Sequence, residues 1–222
     1  MRMCGRFTQT YSPAFIAKAF RVDPIMTNII CSYNIAPTQL ITAIINHGSA
    51  CFSQIRWGLI PSWAKDLSLG NKMINARSET LDQKPSFRVA LKKRRCLIVA
   101  DGFYEWKKEG NFKGPFYIRL KSKQPFGFAG LYDSWKSVEG KEIQSCAIIT
   151  TEANELIKSI HHRMPVIIPK SKEDDWLNPY NQEPEKALAI LKPYASDQLE
   201  YFQVSKFVNS PKNNSPQCIV PA

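Results

Sequence analysis

Residues 96–132 hold four apolar and aromatic runs in close succession: "CLIVA" (96–100), "FYEWK" (103–107), "PFYIRL" (115–120) and "FGFAGLY" (126–132). Only short turn-rich pieces such as "KEGNFKG" and "KSKQ" separate them. A parallel crossover needs a dozen or more residues, which these links do not supply, so neighbouring runs must pair antiparallel. The same logic joins "LITAII" to "CFSQIRWGL" as a hairpin around Asn46, His47 and Gly48. "SCAIIT" reads as a buried strand, and "PVII" and "LEYFQV" as two more. The predicted helices are short: "SPAFIAKAF" with Ser12 as cap and Pro13 in the first turn, "TEANELIKSI" capped by Thr151, "SKEDDWL" and "PEKALAIL". The expected class is α+β: a strand-rich, mainly antiparallel, barrel-like sheet core with peripheral short helices. No internal repeat, low-complexity tract or Gly/Ser linker divides the sequence, so residues 1–222 read as one domain, long enough to bury a sizeable core.

No segment approaches the roughly 20 apolar residues of a membrane span, and polar residues interrupt "FTQTYSPAF" where a secretory signal would stay apolar. A cytoplasmic protein with no membrane partner is expected. Cys4, Cys31, Cys51, Cys96, Cys146 and Cys218 are scattered without a CxxC pair, so neither a zinc site nor a disulfide framework is suggested, and most read as reduced core thiols. Thirty Lys and Arg against 19 Asp and Glu leave a net charge of +11, which favours a polyanionic partner. The cations are interleaved with 12 Phe, 8 Tyr and 5 Trp. Cations for phosphates and flat faces for unstacked bases are what single-stranded nucleic acid requires.

Several residues carry chemistry besides a structural reading. In "MRMCGRF", a chain begun at Met1 keeps that methionine because Arg2 is bulky, whereas one begun at Met3 loses it and exposes Cys4 as residue one. An N-terminal cysteine offers an amine of pKa about 8 and a thiol of pKa about 8.5 on adjacent carbons. Internal, Cys4 is a small core residue. "MINARSE" places Asn75 and Arg77 in a loop-like region, where Asn ordinarily closes a turn. In "ADGFYEWKK", strand alternation puts Tyr104 and Trp106 opposite Glu105, which is either solvated or buried with a raised pKa. His161 and His162 end a predicted helix, where histidines complement the helix dipole. Trp57 and Trp63 of "RWGLIPSW" are core aromatics or a stacking platform. "KKRR" (92–95) reads as a general electrostatic surface.

Together, "MCGRF", "YNIAPTQ", "RWGLIPSW", "INARSET", "DGFYEWKK", "IHHRMPVII" and "VSKFVNSPKN" resemble, in order and along nearly the whole chain, the SOS-response-associated peptidase (SRAP) family, which shields abasic sites in single-stranded DNA. The resemblance implies a catalytic cysteine that becomes residue one, here Cys4, with active-site Asn75, Glu105 and His161. It implies DNA-backbone contacts from Arg6 and Arg77, and Trp63 is a candidate for stacking beside the lesion. The implied activity is a covalent thiazolidine crosslink between the Cys4 amine and thiol and the abasic-site aldehyde, without metal or cofactor. The implied protein is a monomer, associated with the nucleoid when bound to DNA. Two other classes stay open: a cysteine peptidase or N-terminal-nucleophile hydrolase acting on its own N-terminus, and a noncovalent single-strand binder. The extra Met1 and Arg2 depart from the family pattern.

Overall fold

The computed structural model describes residues 4–23, 29, 31–110 and 112–222. Met1, Arg2 and Met3, on which the start-site reading rests, and Asn111 of the "KEGNFKG" turn lie outside the described residues. The strands are β1 (Phe7–Gln9), β2 (Ser32–Ile35), β3 (Leu40–Asn46), β4 (Ala50–Trp57), β5 (Asn75–Arg77), β6 (Arg95–Ala100), β7 (Gly102–Glu109), β8 (Phe112–Leu120), β9 (Phe126–Lys136), β10 (Glu142–Glu152), β11 (Arg163–Pro165), β12 (Ile167–Ile168) and β13 (Leu199–Gln203). The helices are α1 (Pro13–Phe20), α2 (Pro85–Lys93), α3 (Glu155–Lys158), α4 (Glu173–Leu177) and α5 (Pro184–Ile190). No helix among the described residues is long and apolar enough to cross a membrane.

Among the described residues β7 pairs antiparallel with β8 as expected, but β6 pairs antiparallel with β9 and not with its neighbour β7, because β7 and β8 belong to a different sheet. One sheet has the order β13-β8-β7-β1-β2. In the other, β10 pairs with β9 as well as with β4, which closes β10-β4-β3-β6-β9 into a five-stranded barrel. Strand alternation then sorts the side chains into two cores. Cys96, Ile98 and Ala100 of β6, Phe128 and Tyr132 of β9, and Cys146 and Ile148 of β10 share a cluster with Phe7, Phe103, Ile118 and Leu199 of the first sheet. Their neighbours Leu97, Val99, Ala129, Leu131, Ala147 and Ile149 face α1, α2, α4 and α5 through Phe20, Leu91, Trp176 and Ala187. This two-sided cover explains why β6 reads as an uninterrupted apolar run. At Gly130 of β9 a Cβ would come within 2.7 Å of the Cys96 Sγ, so only glycine allows that approach.

Four local expectations are corrected. "MINARSE" is not a loop at Asn75 and Arg77: β5 pairs parallel with β10, Asn75 opposite Ile148 and Arg77 opposite Thr150. The cap of α3 is Asn154, not Thr151, because β10 runs on through Thr151 and Glu152 to pair with Met164 and Arg163 of β11. "PVII" is split between β11 and β12 at Val166, whose N–H donates to Ile149 O at 2.9 Å and whose C=O accepts from the Ala129 N–H at 2.8 Å. Within "KKRR", Lys92 and Lys93 are exposed, but Arg95 is buried and donates to the carbonyls of Leu91, Lys92, Trp176, Asn178 and Asn181. Its cation holds α2 and α4 to β6 instead of facing solvent.

Candidate active site around Cys4 and Glu105

Antiparallel pairing of β1 with β7 sets Phe7 opposite Phe103 and Thr8 opposite Gly102, and the Tyr104 N–H continues the ladder to Arg6 O at 3.0 Å. The chain ahead of β1 therefore runs along β7 and delivers the Cys4 nitrogen to Glu105, donating to Oε1 at 2.7 Å. Both residues are buried, Cys4 at 0% and Glu105 at 1% exposure. β1 is fixed behind this point by Asp101, which accepts from the Thr8 hydroxyl and from the Thr10 N–H and hydroxyl. On its apolar side the Phe7 ring packs edge-on to Trp57, 5.2 Å between centroids, and to Phe128, 5.9 Å.

The alternation read for β7 holds, and the buried alternative holds for Glu105. The Tyr104 hydroxyl donates to Tyr33 O at 2.7 Å and Trp106 Nε1 to Asn209 Oδ1 at 2.8 Å, both away from the Cys4 side. Burial pushes the Glu105 carboxyl up to about 7, against the opposing pull of the amide hydrogen bonds from Cys4 and Trp106. Burial also raises the Cys4 thiol, and the nearby Glu105 charge raises it further. The pair therefore combines a carboxyl poised near neutrality, able to move a proton at the Cys4 nitrogen, with a thiol held protonated. Cys4 has φ +38°, a left-handed conformation costing a non-glycine residue about 1–2 kcal/mol.

Asn75 opens β5, and His161 lies between α3 and β11. The core cluster that holds Cys4 also holds Ile74, adjacent to Asn75, and Ile157 and Met164, which flank His161. Asn154 anchors α3: its Oδ1 caps the helix by accepting from the Ile157 N–H at 2.9 Å, and its Nδ2 donates to Tyr194 O at 2.7 Å. His161 follows α3, stacked on His162 with 4.5 Å between ring centroids. Its Nδ1 lies 3.1 Å from the Arg163 N and 3.3 Å from the Arg163 O, so the Arg163 backbone fixes the ring through either tautomer. Burial is the main cause lowering the His161 pKa, which keeps that ring neutral near pH 7.

The cations divide. Arg77 is exposed and lines a cleft of about 430 Å³ with Glu152, Lys158, His162 and Arg163. Arg6 is engaged by the protein: Nη1 donates to Asn34 Oδ1 at 2.8 Å and Val208 O at 2.9 Å, and Nη2 to Asn209 O at 3.2 Å. Trp63 is 60% exposed, which removes the core-packing reading, whereas Trp57 is buried and donates from Nε1 to Ile74 O at 2.9 Å. The Trp63 loop is held on either side, by Ser62 N–H to Asp133 Oδ2 at 3.1 Å and Trp135 Nε1 to Ala64 O at 2.7 Å. Sequence reasoning missed Glu79, which accepts from both Arg163 Nη groups and so fixes the residue whose backbone holds His161 Nδ1. The signal was present, since "INARSET" and "IHHRMPVII" contain both partners, but nothing in either segment pairs them.

The family model described as SOS response associated peptidase (SRAP) matches residues 3–211. The chain is 51% identical over 221 residues to the abasic site processing protein YoqW of Bacillus subtilis (strain 168), covering 98% of this chain and 99% of that one. It is 34% identical over 191 residues to the abasic site processing protein HMCES of Gallus gallus, covering 75% of this chain and 56% of that one. A crystal structure of a protein from Bacteroides thetaiotaomicron matches with a TM-score of 0.88 at 28% identity, covering 99% of this chain and 100% of that one.

Proposed function

The chain belongs to the SOS response associated peptidase family, and on that premise we propose that it binds abasic sites in single-stranded DNA and links to them covalently through Cys4 once the residues ahead of Cys4 are removed. The observation that carries this reading is the 2.7 Å bond from the Cys4 nitrogen to the buried Glu105 carboxyl. The names of the similar abasic site processing proteins support the substrate class. Removal of the preceding residues turns the Cys4 nitrogen into a primary amine, for which the φ torsion of +38° no longer exists.

In the proposed reaction the Cys4 amine attacks the C1′ aldehyde of the ring-opened sugar. Glu105 accepts the proton released from nitrogen and returns one as the carbinolamine loses water, leaving an imine. The thiol then adds across the C=N bond, sulfur to carbon and proton to nitrogen, closing a five-membered thiazolidine. The overall change is amine, thiol and aldehyde to thiazolidine and one water. Burial and the Glu105 charge keep the thiol protonated, so the amine acts first. The same raised pKa argues against a cysteine-peptidase mechanism, which needs a thiolate. Holding both nucleophiles on one residue makes the second addition intramolecular, an advantage of up to roughly 7–11 kcal/mol. His161 exchanges a proton with the sugar oxygen, Asn75 orients the amine or a sugar oxygen without adding charge, Arg77 meets a phosphate, and Trp63 stacks on a base beside the lesion.

The test is denaturing electrophoresis and intact mass after mixing the protein with an abasic oligonucleotide. The unmodified protein is expected to form a heat-stable adduct in a form whose mass begins at Cys4. Cys4→Ala is expected to form none while binding DNA within a small factor of the unmodified protein. A heat-stable adduct in Cys4→Ala, or full activity in protein retaining Met1 and Arg2, would overturn the proposal.

A further inference from the structure

The strands carrying Cys4 and Glu105 are tied together by a segment that belongs to neither. Residues 205–214 begin with a 3-10 turn at Lys206–Asn209, where Ser205 Oγ accepts from the Phe207 N–H at 3.2 Å, and fold back so that Asn213 Nδ2 donates to Phe207 O at 2.6 Å. Asn34 on β2 clamps this loop, donating from Nδ2 to the carbonyls of Val208 at 3.1 Å, Ser210 at 3.0 Å and Asn213 at 2.7 Å. Asn209 then makes two bonds in opposite directions. Its carbonyl accepts from Arg6 Nη2 at 3.2 Å, and its side-chain Oδ1 accepts from Trp106 Nε1 at 2.8 Å. Arg6 lies two residues after Cys4, and Trp106 one residue after Glu105.

We propose that Asn209 and Arg6 are positioning residues: the 205–214 loop is a strap that sets the spacing of the Cys4 nitrogen and the Glu105 carboxyl, and through that spacing the proton transfer between them. The proposal rests on the function argued above for its kinetic consequence. Its physical basis is separate. Only one protein hydrogen bond joins the Trp106 indole to the strap, yet it fixes the residue that neighbours Glu105, where a displacement of about 1 Å can cost up to about a hundredfold in rate. The proposal also accounts for Arg6, whose Nη1 meets two protein acceptors at 2.8 and 2.9 Å, a geometry suited to bracing β1.

The experiment is a cycle of Asn209→Ala and Glu105→Gln, singly and together, with Asn209→Asp as the variant that keeps the acceptor. Asn209→Ala is expected to slow single-turnover crosslinking about tenfold and to leave binding of an unreactive tetrahydrofuran-site oligonucleotide within about twofold. In the Glu105→Gln background the same change is expected to cost less than about twofold, because the coupling it maintains is already gone. Asn209→Asp is expected to restore most of the rate. A role confined to stability would give the same loss in both backgrounds and would overturn the proposal. If Asn209→Ala fails to fold, Trp106→Phe removes the same hydrogen bond from the other end and takes its place. A readout independent of crosslinking is the NMR titration of the Glu105 carboxyl carbon, expected to move by about half a pH unit or more in either variant. An unmoved titration overturns the strap even if the unmodified protein forms no adduct, an outcome that by itself sinks only the proposed function.

Discussion

At the scale of single residues, Glu105 makes folding and chemistry depend on the same proton. While the Cys4 nitrogen is still an amide, the buried carboxyl titrates near 7 instead of in the ordinary glutamate range, so the folded state binds this proton more tightly than the unfolded chain does. Stability from this source is therefore complete at low pH and is lost as pH rises toward 7 and above. In protein blocked ahead of Cys4, Glu105→Gln is expected to match the unmodified protein near pH 4 and to exceed it by about 3 kcal/mol at pH 8, measured by urea unfolding. A constant difference across that range would mean the carboxyl is not the source. In the freed form the sign reverses, because an ammonium 2.7 Å away favours the carboxylate. There Glu105→Gln is expected to slow crosslinking most at low pH, where the amine most needs a base. The identity of Cys4 and Glu105 as a pair was legible only through the family resemblance, since the two are 101 residues apart and local reading left Glu105 solvated or buried.

At the scale of elements, what the sequence makes plain is the strands of the closely spaced region and the β7–β8 hairpin, because turn chemistry and alternation are local; the pairing of β6 with β9 spans the two strands between them and has no local signal. β5 was hidden for a physical reason: it has three residues, its partner β10 lies some seventy positions further on, and Asn75 carries no strand preference of its own. The start of α3 was misplaced for a similar reason. Thr151 and Asn154 both suit a cap, and the choice between them is made by β11, whose pairing draws Thr151 and Glu152 into β10. That leaves Asn154 with two tasks, capping a four-residue helix and holding the Tyr194 carbonyl. Asn154→Ala is expected to cost about 1 kcal/mol, seen as a melting temperature lower by about 3 °C. Because His161 follows this helix, crosslinking is expected to slow several-fold with DNA affinity unchanged. A lower melting temperature with an unchanged rate would separate the cap from the positioning of His161.

At the scale of the whole molecule, the 30 Lys and Arg overstate what DNA can meet. Arg95 is spent on backbone carbonyls, Arg163 on Glu79, Arg6 on Asn34 and the strap, and Arg94, Arg119 and Arg21 pair with Asp133, Glu200 and Asp174. Besides Arg163, the basic residues that line the Arg77 cleft are Arg77, Lys158 and His162. Counterion release depends on phosphates neutralised, not on net charge, with a slope of about −0.7 per contact on single strands. Two or three contacts predict that log affinity for a single-stranded oligonucleotide falls against log salt with a slope of about −2, far shallower than eleven charges would give. Arg77→Ala is expected to reduce the slope by about 0.7, whereas Arg6→Ala is expected to leave it unchanged while slowing crosslinking, because its cation braces β1. Fluorescence anisotropy between 50 and 300 mM salt measures both. Equal slope changes for the two variants would put Arg6 on the phosphates and remove it from the strap, and a slope near zero would detach DNA from this face of the barrel.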